Sequence, residues 1–228
     1  MARGFGATFG VSTADRIVSA NTVTPSSLTL SIWAYRNGDG GDGHGAAIET
    51  GSERVIFGND TTNTAWRFFR TFSIAFGWWT CPRPATGDWH HFAVTHDGAL
   101  ITNDPVMYVD GVSQTVTEFQ APVGTVDITA SAWWLGNRVA DQSKCWDGLL
   151  GELGAWNRIL PRDEIFELSA GRSPQTLPAS LIEYISMPGT TTPASILSAP
   201  TVSGTLGSNN DPFLIHSIPR PIGKGIFR

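Results

Sequence analysis

The amino-acid sequence predicts an all-β protein, an antiparallel β-sandwich, on three observations. Apolar residues recur with period two, as where Leu28, Leu30, Ile32 and Ala34 alternate with Thr29, Ser31, Trp33 and Tyr35; that period puts one set of side chains on one face of a strand. Turn signals cut the chain at short intervals, at Asn37-Gly38-Asp39-Gly40, Thr86-Gly87-Asp88, Asp97-Gly98 and Asp110-Gly111, and such pairs supply the positive φ that tight hairpins need. Only 15% of the 228 residues are charged, below the roughly 25% of an average domain, and Gly, Ser and Thr fill the difference.

Along the chain, runs rich in β-branched and aromatic residues read as strands at 28–35, 55–57, 67–74, 91–95, 106–109 and 125–129. A helix reads only at 161–170. Pro161 suits its start, Asp163 and Glu164 its positive end, and Ile165, Phe166 and Leu168 form a short apolar face before Gly171 ends it. Composition then divides the chain. All nine tryptophans lie between Trp33 and Trp156, whereas residues 172–228 carry eight of the fourteen prolines and no tryptophan. Residues 1–171 therefore read as the sandwich and 172–228 as an extended Pro/Ser/Thr-rich tail. In that tail Tyr184, Ile185, Phe213, Ile215 and Phe227 are apolar anchors for docking on a neighbouring subunit. Trp89 and Trp146 are expected in the core, and truncation at Arg172 is expected to leave the sandwich folded.

The net charge is −5, with Lys144 and Lys224 the only lysines and no basic run, which excludes a nucleic-acid backbone as the main partner. No stretch reaches the ~20 apolar residues of a membrane span, and MARGFGATFG lacks the apolar centre of a Sec-type signal. Cys81 and Cys145 allow either one disulfide or two reduced, packed thiols.

Four blocks occur in order: Trp89-His90-His91-Phe92-Ala93-Val94-Thr95-His96-Asp97-Gly98, Met107-Tyr108-Val109-Asp110-Gly111, Leu135-Gly136-Asn137, and the segment from Trp146-Asp147-Gly148 to Trp156-Asn157-Arg158. Together with Ala7-Thr8-Phe9 and Leu30-Ser31-Ile32-Trp33-Ala34 they resemble the laminin G-like domains of the concanavalin A-like lectin/glucanase superfamily. The resemblance spans about residues 5–171. It implies a jelly-roll sandwich of two curved antiparallel sheets, with a short helix after Asn157-Arg158-Ile159-Leu160. The family often carries an acidic pair where this chain has Gly151-Glu152, and the missing carboxylate weakens a calcium role there. Members bind sugars or protein partners, so the resemblance narrows the fold more than the function.

His90, His91 and His96 do not form a metal site by themselves. Adjacent strand residues face opposite ways, and His90 and His96 stand about 20 Å apart at ~3.3 Å per residue. One is expected in the sandwich and another on its surface. Glycan hydrolysis needs two neighbouring carboxyl groups, and among the twenty Asp and Glu residues no i, i+2 pair exists. Gly38-x-Gly40-x-x-Gly43 matches a dinucleotide pattern but opens no helix. The same loop offers Asp39 and Asp42 as oxygen ligands for calcium, against the plainer reading of a glycine-rich turn with solvated aspartates. Trp78-Trp79 and Trp133-Trp134 each put one indole on each sheet face. Phase with Leu135 turns Trp133 inward and Trp134 outward, and Trp134 and Trp79 are the candidates for stacking on a sugar or anchoring a protein.

The expected function is a non-catalytic interaction module, a structural accessory subunit of a larger assembly such as a phage or virus capsid decoration protein. It would form a homo-oligomer, require no cofactor, be made in the cytoplasm and reside in the virion. The reading frame from Met1 without an export signal, the bare sandwich, the tail, and an excess of arginine over lysine suited to fixed interface contacts point there. The alternatives are a lectin-like carbohydrate-binding protein, exported by a non-Sec route, and a glycan hydrolase.

Overall fold

The computed structural model describes residues 3–5, 15–60, 64–138, 142–187, 194–195 and 201–203. Its strands in chain order are β1 (Arg3–Phe5), β2 (Arg16–Val18), β3 (Ser27–Arg36), β4 (Ala46–Thr50), β5 (Val55–Asp60), β6 (Ala65–Arg70), β7 (Gly77–Pro82) and β8 (Trp89–Asp97). They continue as β9 (Val106–Val109), β10 (Val112–Ser113), β11 (Thr117–Gln120), β12 (Trp133–Leu135), β13 (Gly148–Trp156), β14 (Leu181–Ser186), β15 (Ala194–Ser195) and β16 (Thr201–Ser203). One helix, α1 (Arg162–Ser169), precedes β14. The first sheet runs β10-β9-β8-β3-β13-β14-β15 with β1 also on β13, and the second runs β11-β7-β6-β5-β4-β12-β2-β16. All pairings are antiparallel. This is the sandwich that the period of two and the turn signals predict.

The alternation in β3 is realised directly: Leu28, Leu30, Ile32 and Ala34 are buried between the sheets. Across the gap Trp66 of β6 stacks on Phe92 of β8, with centroids 3.7 Å apart and planes 9° from parallel, and Trp146 meets Trp66 edge-on at 5.6 Å. The β9–β10 hairpin turns on Asp110 (φ 50°) and Gly111 (φ 77°) between the paired Val109 and Val112. Two positive φ values in a two-residue loop match the twist of the flanking strands. A second, smaller core lies outside the first sheet, where Ala93, Tyr108 and Trp156 meet Leu160, Ile165 and Leu168 of α1 and its approach. Helix α1 thus covers part of the first sheet's outer face; among the described residues no helix covers the outer face of the second.

Several expectations are corrected. Leu181–Ser186 is a strand of the first sheet, paired with β13 from Leu153↔Ile185 to Trp156↔Leu181. Tyr184 (6% exposed), Ile185 and Met187 are buried against the chain's own sheet, because strand alternation and an apolar partner strand give them a site at home. Tyr184 is therefore an internal packing residue. Phe213, Ile215 and Phe227 lie outside the described residues. Thr125–Thr129 forms only an isolated bridge, Val126 with Phe72. Phe166 is 60% exposed, since the helix face that meets the sheet is set by Ile165 and Leu168. Trp146 is fully buried, whereas Trp89 lies half-buried on the outer face of the first sheet, edge-on to Tyr35. Cys81 and Cys145 are free and buried, and burial pushes the Cys81 thiol up to about 12.

Of the histidines, His90 pairs with Asp110 at 2.7 Å, while His91 and His96 are buried. His91 Nε2 lies 2.8 Å from Ser31 Oγ. Arg70, fully buried, donates to His96 Nδ1 (2.9 Å) and to Ser26 O (2.8 Å), and His96 Nε2 donates to Asn103 O (3.1 Å). Burial lowers both histidines to about 4, with the Arg70 charge adding to the effect at His96, and it lowers Arg70 to about 10.

Three outcomes follow. Trp146→Ala should cost about 3–5 kcal/mol of unfolding free energy, the range for a fully buried large aromatic; Trp89→Ala should cost clearly less, as urea titration reads. Removal of residues 172–228 takes β14 from the sheet, so the truncated chain should lose the cooperative melt of the full chain in near-ultraviolet circular dichroism. Because the unfolded chain takes up protons on His91 and His96 near pH 6.5 and the folded one only near 4, stability should hold above pH 7. It should fall as pH drops from 6.5 to 4, by roughly 3 kcal/mol per ring; a flat profile of unfolding free energy across that window would contradict this.

Candidate binding site

The open outer face of the second sheet carries the site. Register aligns Trp134, Glu49, Ile56, Phe69 and Trp78 in one row across β12, β4, β5, β6 and β7. In the next row Arg67 stands between Gly58 and Thr80. A Cβ on Gly58 would come within 2.5 Å of Gly45 O, so only glycine fits where β4 bulges against β5. Phe69 also packs on Phe76 (4.8 Å, 35°) and Trp78 on Phe119 (5.6 Å, 32°).

Of these, Ile56, Arg67, Phe69, Phe76 and Trp78 line a groove of about 370 Å³ together with Thr71, Glu53 and Arg138. Glu53 forms an ion pair with Arg138. Glu49 has no exposed surface, and its Oε1 accepts the Glu53 backbone N–H (3.2 Å). Arg67 Nε and Trp78 Nε1 are buried without hydrogen-bond partners among the described residues. Burial pushes Arg67 below the usual arginine range, and the charges of Asp60 and Glu49 act against that fall. The groove thus joins flat aromatic faces to unfilled N–H donors, a combination that fits a ligand with an apolar face and polar edges.

The residues expected from sequence fare unevenly. Trp134 does face outward, half-buried, but Arg16 lies over its ring at 4.8 Å and covers it. Trp79 is not a surface residue. It is fully buried, stacked near Phe68 (5.9 Å), and donates Nε1–H to Asp104 (2.9 Å). The reason is register: Trp79 pairs with inward Phe68, which leaves Trp78 opposite outward Phe69. Asp39 is held by Arg36 (3.1 Å) and Arg83 (2.9 Å), and Asp42 by Lys144 (2.5 Å), so these carboxylates are turned to separate cations and do not fit a calcium shell. Among the described residues no group of three or more His, Cys, Asp or Glu converges for a metal, and no helix is long and apolar enough to cross a membrane. Arg67, Phe69, Phe76, Trp78 and Phe119 escaped the sequence reading. The alternation Trp66-Arg67-Phe68-Phe69-Arg70 could have placed the first two on one face once Trp66 was assigned inward.

A sandwich of two antiparallel sheets with an open, aromatic-floored face defines a jelly-roll protein of the lectin type of architecture. A laminin G-like profile described as the concanavalin A-like lectin/glucanases superfamily matches residues 8–166, and the chain belongs to that superfamily. A heptameric SAP-like pentraxin from Limulus polyphemus is similar in fold, with TM-score 0.63, 13% identity, and 92% of this chain and 95% of that one covered. A putative carbohydrate-binding protein from Bacteroides ovatus gives TM-score 0.65 at 15% identity over 94% of this chain, which spans 61% of that protein. No curated protein matches the chain in sequence.

Proposed function

We propose that the protein is a non-catalytic, lectin-like binding module that holds a glycan in the groove over Phe69, Phe76 and Trp78. The observation that carries this reading is the aromatic floor beside two unfilled donors, Trp78 Nε1 and Arg67 Nε. Sugar rings present C–H faces to aromatic planes and hydroxyls to polar side chains, and the groove lining holds residues of both kinds. Membership of a superfamily that includes sugar binders supports the reading, as does the fold likeness to a protein described as carbohydrate-binding.

Hydrolysis is disfavoured by the carboxylates. Two must reach the glycosidic bond, about 5–10 Å apart; here Glu53 is engaged by Arg138 and Glu49 has no exposed surface. A subunit role in a virion or other assembly ranks behind the glycan reading, because Tyr184 and Ile185, two of the anchors that suggested it, are spent on β14.

Titration of the full chain with bacterial and plant oligosaccharides, followed by tryptophan fluorescence and calorimetry, tests the reading. Trp78→Ala should weaken binding by about tenfold, the loss of one aromatic stack. Trp134→Ala, under its Arg16 cover, should change affinity by less than about twofold. Equal affinity for wild type and Trp78→Ala would move the site elsewhere.

A further inference from the structure

We infer that the groove selects saccharides bearing a carboxylate, such as uronic acid residues, with the carboxylate on the Arg67 guanidinium and the ring on Phe69 and Trp78. This rests on the groove being the glycan site. Three observations distinguish an acidic from a neutral ligand. The other charges of the lining cancel, since Glu53 and Arg138 form their own pair. Arg67 lines the groove, and its Nε is buried without a hydrogen-bond partner among the described residues. The charges of Asp60 and Glu49 favour the charged form of Arg67, so the guanidinium stays a cation that can meet a carboxylate.

A partly buried guanidinium with an unfilled N–H is costly to hold. A sugar hydroxyl would fill one donor and leave the charge as it stands. A carboxylate fills two donors in the planar fork that guanidinium presents, and it supplies the opposite charge where the low dielectric makes that charge count most.

The test compares oligogalacturonate, hyaluronan oligosaccharides and sialyllactose with their carboxyl-reduced or uncharged counterparts, on wild type, Arg67→Gln, Arg67→Lys and Trp78→Ala, by calorimetry at low salt. At least one acidic chain should bind wild type roughly 10- to 100-fold more tightly than its neutral counterpart, the gain of a charged hydrogen-bonded contact. Arg67→Gln should abolish that preference, so that acidic and neutral chains bind the variant with equal affinity, while its far-ultraviolet circular dichroism spectrum stays that of the wild type. Arg67→Lys should keep only part of the preference, as a point charge lacks the fork. Equal binding of acidic and neutral chains, or a preference that survives Arg67→Gln, overturns the inference and leaves the glycan groove standing. Dextran sulfate bound as tightly as the carboxylated chains overturns the carboxylate assignment. Binding that ignores Trp78→Ala overturns the groove itself, and no binding of any acidic probe overturns the inference.

Discussion

The stack of Trp66 on Phe92 joins the two sheets through their middle, and the rest of the structure takes its phase from it. Strand geometry alternates without exception inside β6, so once Trp66 points inward, Arg67 must point out, Phe68 in and Phe69 out. A one-residue slip would carry Phe69 into the core and Phe68 to the surface, and it would erase both the groove's aromatic floor and its arginine. The binding face is thus a by-product of core packing, specified by the same contact that closes the sandwich. Arg70 shows the cost of that rigidity. The alternation drives it inward as well, where it is tolerated because His96 Nδ1 and the carbonyl of Ser26 accept its protons.

How much of this was legible in the sequence depends on how many signals agreed at each place. In β3, alternation and composition point the same way, and the inward set is the one observed. The Asp110-Gly111 turn and the Pro161 to Gly171 helix were readable because each rests on local backbone chemistry. At Trp78-Trp79 the alternation is clear but its phase is not, as two indoles are equally apolar. The phase is set by β6, and pairing β6 with β7 is a tertiary fact. In β13, Leu150 and Leu153 are three apart yet both face inward, because the register shifts between Gly151 and Gly154 around Glu152 (φ 22°). A bulge of this kind breaks the period that sequence reading relies on.

The C-terminal quarter was misjudged for a different reason. Proline, serine and threonine content described the whole of residues 172–228 as one segment, whereas the stretch from Leu181 to Ser186 has the alternation of a strand and a buried partner in β13. Composition averaged over 57 residues hid a six-residue pattern. The groove escaped because its residues come from different strands and loops, adjacent only after the sheet forms. Arg67 in particular looks like any surface arginine until its place in the groove and its unfilled Nε are seen.

The order in which the strands are joined bears on how the chain is made. In the first sheet β3 pairs with β8 and β13, Ala34 lying opposite Leu150, so one of its two neighbours leaves the ribosome more than a hundred residues after it. At a synthesis rate of about 5–20 residues per second, several seconds pass with the second edge of β3 unpaired. Leu28, Leu30 and Ile32 spend that interval without their final cover, and contacts this distant in sequence form slowly. Expression at lower temperature or with holding chaperones should therefore govern the yield of soluble protein more than changes at the groove do.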